Sequence, residues 1–167
     1  MSIYERELKG ILQCDEEVLD SATKAYPENI KRAFYKIKKR PFIVLRAAGS
    51  FGIDLVAIRK DCSFPIEVKA WKEKKFWFSN TPRLKEQVDW LKKLCIKAGI
   101  VPIYAFRLKN VRAQDPWRIF TFELPSVKGS ELYNKIPKLR ETEEGNYVMD
   151  WEEGLELHKF IEILCEG

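Results

Sequence analysis

The sequence predicts a mixed α/β fold, with a five-stranded central sheet flanked by helices. Three observations predict it. Apolar runs over residues 42–46, 53–58, 64–70, 100–106 and 117–123 are each bounded by turn residues, as strands are. Apolar residues at helical spacing precede the first strand, separate the third from the fourth and close the chain. Short turns join the first three strands, which suits an antiparallel meander. The long helical connection from the third to the fourth suits a crossover between parallel strands.

Taken in order, residues 3–13 place Tyr4, Leu8, Ile11 and Leu12 on one helical stripe. Glu5 and Glu7 fall on opposite margins of that stripe and Arg6 lies nearly opposite it. The pattern does not say which glutamate reaches over a sheet edge towards a site. Residues 15–40 are polar and charged around Pro27, with a short helix starting at Asp15-Glu16-Glu17 and a basic one over 28–39. From Lys31 to Arg40 six basic residues stand with no acid. That run fits a solvated helix face or a nucleic-acid contact equally well.

The segment Ala47-Ala48-Gly49-Ser50-Phe51-Gly52 is a small-residue turn, and Ser50 suits either a plain turn or a site. Residues 71–83 form a loop in which Lys72, Lys74 and Lys75 alternate with Trp71, Phe76, Trp77 and Phe78. Such aromatics serve subunit contact, nucleic-acid stacking or core packing. Residues 83–98 are an amphipathic helix on Leu84, Val88, Leu91, Cys95 and Ala98, with Gln87 adjoining that face and its amide towards the sheet. A basic loop with Lys109 and Arg112 follows the fourth strand. Residues 126–147 are polar, and 151–164 are a final helix with Leu155, Leu157, Phe160, Ile161 and Leu164. The organisation expected is one unit over 1–125 with an inserted helical segment at 15–40, then an acidic extension over 126–167.

Composition narrows the function. A chain of 167 residues buries a core without staples. The formal charge of +5 hides an asymmetry: residues 1–125 carry a net +10 and residues 126–167 a net −5. A basic body fits a polyanionic partner, with the acidic tail lying away from it or covering part of the basic surface. The four cysteines form no close pair and there is one histidine, which disfavours a zinc site or a Ser-His-Asp hydrolase. No apolar run is long enough to span a membrane, and the charged N-terminus lacks a signal peptide's apolar core. The expectation is a cytoplasmic protein with no membrane association and no organic cofactor.

The chemistry concentrates on two neighbouring strands, where Asp54, Glu67 and Lys69 interrupt apolar runs. Charged residues are seldom buried without a partner. Two carboxylates beside an ammonium could hold a divalent metal and a water next to a phosphodiester, since carboxylate oxygens suit Mg²⁺ or Mn²⁺. The same residues on an exposed hairpin would simply pair across strands.

The order of elements and the segments Tyr4-Glu5-Arg6-Glu7-Leu8, Val44-Leu45-Arg46-Ala47-Ala48-Gly49-Ser50, Asp54-Leu55-Val56-Ala57 and Ile66-Glu67-Val68-Lys69 resemble the PD-(D/E)xK nucleases, the restriction-endonuclease-like fold. Within it they are most similar to archaeal Holliday junction resolvases. Residues 100–106 and 117–120 resemble that family's last two strands. The resemblance implies that Glu5, rather than Glu7, is the helix acid. It implies Asp54 and Glu67 as metal ligands with the Val68 carbonyl, Glu5 completing the shell directly or through water, Lys69 as catalytic lysine and Ser50 as the turn serine. Arg6 and Arg46 match arginines implicated in junction binding or cleavage. Gln87 is a supporting residue. Lys36, Lys38, Lys39, Lys72, Lys74 and Lys75 are the further candidates for DNA contact. The resemblance also implies Mg²⁺- or Mn²⁺-dependent cleavage of four-way DNA junctions by a homodimer, the 71–83 aromatics being candidates for its contact. Residues 15–40 and 126–167 depart from the compact members of the family. Two other readings are a repair or restriction-type endonuclease on other DNA, and a structure-specific DNA-binding module that does not cleave.

Overall fold

The sheet is set by the apolar alternation of its first three strands, and everything else is packed on its two faces. The computed structural model describes residues 1–48, 51–127 and 130–166. Strands β1 (Ile43–Arg46), β2 (Leu55–Ile58) and β3 (Ser63–Trp71) form an antiparallel meander. Helix α4 (Pro82–Ala98) then carries the chain to β5 (Ile103–Leu108), which lies parallel to β3. Strand β6 (Trp117–Phe120) returns antiparallel to β5, and β9 (Leu155–Glu156) adds a sixth strand, giving the order β1-β2-β3-β5-β6-β9.

Cross-strand register puts Val44, Ala57 and Phe64 on one face, and Leu45, Val56 and Pro65 on the other. The first face is covered by α1 (Ile3–Gln13) and α6 (Leu157–Leu164), with Phe64 against Phe160 at 5.9 Å between ring centroids. The second carries Glu67 opposite Tyr104, and α4 with the turn before it covers that part, Phe78 meeting Tyr104 edge-on at 5.7 Å. The helix ends follow their caps. Ser2 accepts from the Glu5 peptide nitrogen at 3.1 Å, and Thr81 caps α4 ahead of Pro82 in its first turn. No helix among the described residues is long and apolar enough to cross a membrane.

Several expectations are corrected. The sheet has six strands rather than five, because residues 151–156 leave the expected final helix as a 3₁₀ turn (Trp151–Glu153) and β9. The reason is Gly154: a Cβ there would come within 2.5 Å of Arg118 Cβ and 2.8 Å of the Phe120 ring, so this backbone lies directly on β6. Helical spacing of Leu155, Leu157 and Phe160 cannot reveal such an approach. The 71–83 segment is not a loop of exposed aromatics. It contains β4 (Lys75–Trp77), which pairs with β8 (Tyr147–Asp150) in a second sheet completed by β7 (Arg140–Glu141). Phe76 and Phe78 are buried in the chain's own core and only Trp77 of the three is exposed, so the first two serve packing rather than subunit contact.

Residues 15–40 fold as α2 (Glu16–Thr23), α3 (Glu28–Tyr35) and a 3₁₀ turn (Lys36–Lys39). Residues 126–166 are continuous with the same core: Met149, Trp151, Leu157, Phe160 and Ile161 are buried together with β3, β5 and β6. A cluster pins that segment down. His158 sits between Asp115, 2.9 Å from Nδ1, and Glu156, 3.3 Å from Nε2, while Trp151 Nε1 donates to Pro116 at 3.0 Å. Replacing Gly154 by Ala should therefore destabilise the whole fold by about 1–3 kcal/mol through overpacking against β6. Urea unfolding at neutral pH measures this, and an unchanged midpoint would show that the contact is slack.

Candidate active site

The chain fixes Asp54 before it fixes anything around it. Asp54 stands one residue ahead of β2, its peptide nitrogen donating to Ile66 and its carbonyl accepting from Ala47, both at 2.9 Å. Its side chain is held too, with Oδ2 accepting from the Val68 nitrogen at 2.7 Å. Glu67 is the next residue along β3 from Ile66, and strand alternation turns it and Lys69 to the same face. The result is a carboxyl pair in hydrogen-bond contact, Asp54 with Glu67, and an ammonium 3.5 Å from Glu67 Oε1.

Glu67 is 7 % exposed. Burial first, and then the hydrogen bond and negative charge of Asp54, push its carboxyl up to about 8, while Lys69 pulls the other way. A buried carboxyl next to a second carboxyl ionises readily only when a cation lies against the pair. The pair with the Val68 peptide is a hard-oxygen donor set, which fits Mg²⁺ or Mn²⁺ better than a softer metal.

Glu5 comes close without joining the pair. It lines a cavity of about 200 Å³ together with Arg46, Ala47, Ala48, Ile53 and Asp54. Among the described residues no three acidic, histidine or cysteine side chains lie together as a metal cluster. Glu5 stands on the cavity beside Asp54, from which it could complete a metal shell directly or through water. Glu7, the other candidate, lies on the opposite flank of α1 with Arg107, 3.5 Å away, and burial raises its carboxyl.

The remaining candidates separate cleanly. Arg46 is exposed at the end of β1 and lines the Glu5 cavity. Arg6 is exposed on the Glu7 side of α1. Ser50 lies outside the described residues. Gln87 meets the turn through its backbone and Cβ: a Cβ on Gly52 would fall 3.2 Å from the Gln87 carbonyl, and Gly52 has φ +77°. Glycine is needed there on both counts.

Lys72 and Lys75 are exposed beyond β3, but Lys74 is paired with Glu152. Lys36, Lys38 and Lys39 lie ahead of β1, at the end of that strand away from Arg46. The basic run does not face the site. Lys36 is bound to Glu162 at 2.6 Å and Lys38 to Glu16 at 3.3 Å, because α6 and α2 bring acids to it. Arg107 was missed from the sequence. Its signal was the one used for Asp54: a charge inside an otherwise apolar strand, Ile103–Leu108.

A family profile described as archaeal Holliday junction resolvase (hjc) matches residues 28–166. The chain belongs to that family. The matched span contains Asp54, Glu67, Lys69 and all of the segment after 126, and leaves α1 and α2 outside. Members of the resolvase family are endonucleases that act on junction DNA. The solved structure of Hjc, a Holliday junction resolvase from Archaeoglobus fulgidus, aligns with TM-score 0.49 and 22% identity over 85% of this chain and 96% of that one. No curated protein matches the chain.

The raised carboxyl has a measurable sign. A group whose folded pKa lies above its unfolded value of 4.5 binds its proton more tightly when folded, so stability is lost as pH rises from about 4.5 towards about 8. Glu67→Gln removes that loss and keeps a hydrogen-bond donor for Asp54. The metal-free variant should be more stable than the metal-free parent at pH 8.5 by on the order of 2 kcal/mol, and nearly equal to it at pH 5. Thermal melting in chelator at both pH values tests this; equal stability at pH 8.5 would mean that the two carboxyls do not interact.

Proposed function

We propose that the protein is a divalent-metal-dependent endonuclease that resolves four-way DNA junctions by paired nicks from a homodimer. The observation that carries the reading is the half-buried Asp54 beside the buried Glu67, with Lys69 next to them and a cavity in front of Asp54. A structural ion pair has no use for two adjacent carboxyls, whereas metal-assisted phosphodiester hydrolysis needs them there. Asp54, Glu67 and the Val68 carbonyl would hold Mg²⁺ or Mn²⁺. Such an ion, when bound, supplies Lewis-acid polarisation of the phosphate and a more acidic water.

The protein's own groups do the positioning. Asp54 is immobilised by three backbone hydrogen bonds, so its second oxygen has one direction left to offer. Lys69 is held by Glu67 at the edge of the buried pair, where its charge offsets the negative charge that develops on the attacked phosphate or orients the attacking water. Glu5 lies across the cavity from Asp54 and orients a water there. Arg46, exposed on the same cavity, contacts the phosphodiester from the β1 side. Branch shape and phosphate contacts, more than base edges, give the specificity.

Two nicks require two sites, and a C2 pair supplies them. The surface that supports this is the outer face of β1–β2. Ile43 pairs with Ile58, and Leu45 with Val56, which places four apolar side chains on one face. Ile43 is 63 % and Leu45 52 % exposed. Trp90, against the Phe51 ring, and Leu94 are exposed on α4. Apolar groups of this size on a charged surface mark an interface.

Asp54→Asn should cut junction cleavage to at most about a hundredth while leaving junction binding in chelator nearly intact, since it removes charge needed at the metal and little else. Near-normal turnover would refute the site. The wild type should prefer a synthetic four-way junction over linear duplex in competition; equal competition by mass would favour a nuclease for other DNA. Ile43→Asp with Leu45→Asp should give a monomer by light scattering that nicks one strand without releasing paired products. A double variant that stays dimeric would place the contact elsewhere.

A further inference from the structure

A larger cavity than the one beside Asp54 lies on the other flank of α1, about 920 Å³, between α1, the end of α2 with its following turn, and the β5–β6 connection. Alternate residues of the first turns of α1 divide between the two: Ser2 and Glu5 line the small cavity, Tyr4, Arg6 and Glu7 the large one. Half of its wall comes from residues 15–26, which fall outside the matched span of the family.

We propose that this cleft seats one sugar-phosphate strand of a junction arm next to the cutting site. The inference rests on the resolvase reading and deepens it by naming where an arm runs. Four observations converge. Arg6, Lys24 and Arg112 line the cleft and, among the described residues, form no ion pair. The basic run ahead of β1, at the other end of that strand, is partly neutralised, Lys36 by Glu162 and Lys38 by Glu16. The acids of the wall are Glu7, already engaged with Arg107, and Glu17 on the rim.

Arg107 is held by Glu7, 3.5 Å from its Nε, and its guanidinium stacks over the Tyr4 ring at 5.2 Å, with the Lys109 ammonium 5.9 Å from the same ring. The rest of the wall is apolar or aromatic, including Val18, Ala22 and Tyr26. A polyanion with flat apolar groups between its charges satisfies both parts of such a surface. The volume suits a stretch of one strand rather than a whole duplex. Because α1 separates the cleft from Glu5 by a single helix width, a strand seated here stays within reach of the cut phosphate.

The test compares binding of a synthetic four-way junction, over a salt series in chelator, by the wild type, Lys24→Ala/Arg112→Ala, Ala22→Trp and the control Lys36→Ala. Lys24 and Arg112 are exposed, so their removal leaves folding alone. The double variant should bind about tenfold more weakly and its salt slope should fall by about two, one for each lost phosphate contact. Ala22→Trp, which fills the cleft without changing charge, should also weaken binding, and Lys36→Ala should not. Single-turnover cleavage at saturating junction and metal should keep its rate in all three. If the double variant or Ala22→Trp binds with wild-type affinity and salt slope, the cleft is overturned while the resolvase reading stands. A wild type that neither binds nor cuts junctions refutes that reading itself.

Discussion

Two carboxyls held side by side, one of them buried, are the constraint on which this structure turns. Asp54 and Glu67 are brought into contact by the β2–β3 pairing, with Leu55 opposite Ile66. Neither carboxyl can move away: Asp54 is tied at its nitrogen, carbonyl and side chain, and Glu67 sits between Ile66 and Val68 in the middle of a nine-residue strand. Desolvation and repulsion therefore remain stored in the metal-free protein, and show as a carboxyl that keeps its proton up to about 8. The surrounding core has to outweigh that cost. The buried aromatics Phe64, Tyr104, Phe106, Phe120 and Phe160, packed on both faces of the sheet, are what make the arrangement affordable.

The charge asymmetry of the chain takes on meaning in three dimensions. Several acids of the C-terminal segment pair with the protein's own cations: Glu152 with Lys74, Glu153 with Arg140, Glu156 with Lys159, Glu162 with Lys36, Glu166 with Lys135. Exposed pairs of this kind add little stability. Their larger effect is on the field, because they cancel part of the positive charge and leave cations such as Arg6, Lys24 and Arg112, which share one cavity, to attract a polyanion.

The fold was legible wherever it followed from alternation. The three-strand meander and the crossover to β5 could be read from apolar runs and connection lengths, with ends shifted by two or three residues. Asp54, Glu67 and Lys69 were legible because a charge inside an apolar strand breaks its pattern. What the sequence could not carry were features made by tertiary approach. The added strand β9 depends on Gly154 lying against Phe120 and Arg118, which helical spacing conceals. The aromatics of 71–83 looked exposed because β8, which covers Phe76, is more than seventy residues away. The basic run 31–40 looked free because its partners Glu162 and Glu16 are brought to it only by the packing of α6 and α2. Glu5 and Glu7 were indistinguishable by periodicity, since each lies on a margin of the same stripe and only the sheet beneath decides which faces Asp54.

The segment after residue 126 is tied to the β5–β6 connection by a route that bypasses the sheet. Asp115 closes the β5–β6 connection, its Oδ1 accepting from the Trp117 nitrogen at 3.0 Å and its Oδ2 from the His158 nitrogen at 2.9 Å, with the His158 ring Nδ1 also 2.9 Å from Oδ2. Arg118 donates to the Asp115 and Trp117 carbonyls and lies 3.7 Å from the Trp151 ring centroid. A loop anchored at its C-terminal end by α6 and at its N-terminal end by Lys109, whose nitrogen donates to Trp71 at 2.8 Å, has little freedom between. That loop carries Arg112. The same two anchors hold it on the cavity that Tyr4 and Arg107 also line, so an acidic segment helps to fix the position of a cation. Removing the segment would cost more than a helix: it would release the wall of the cleft on the side opposite α2.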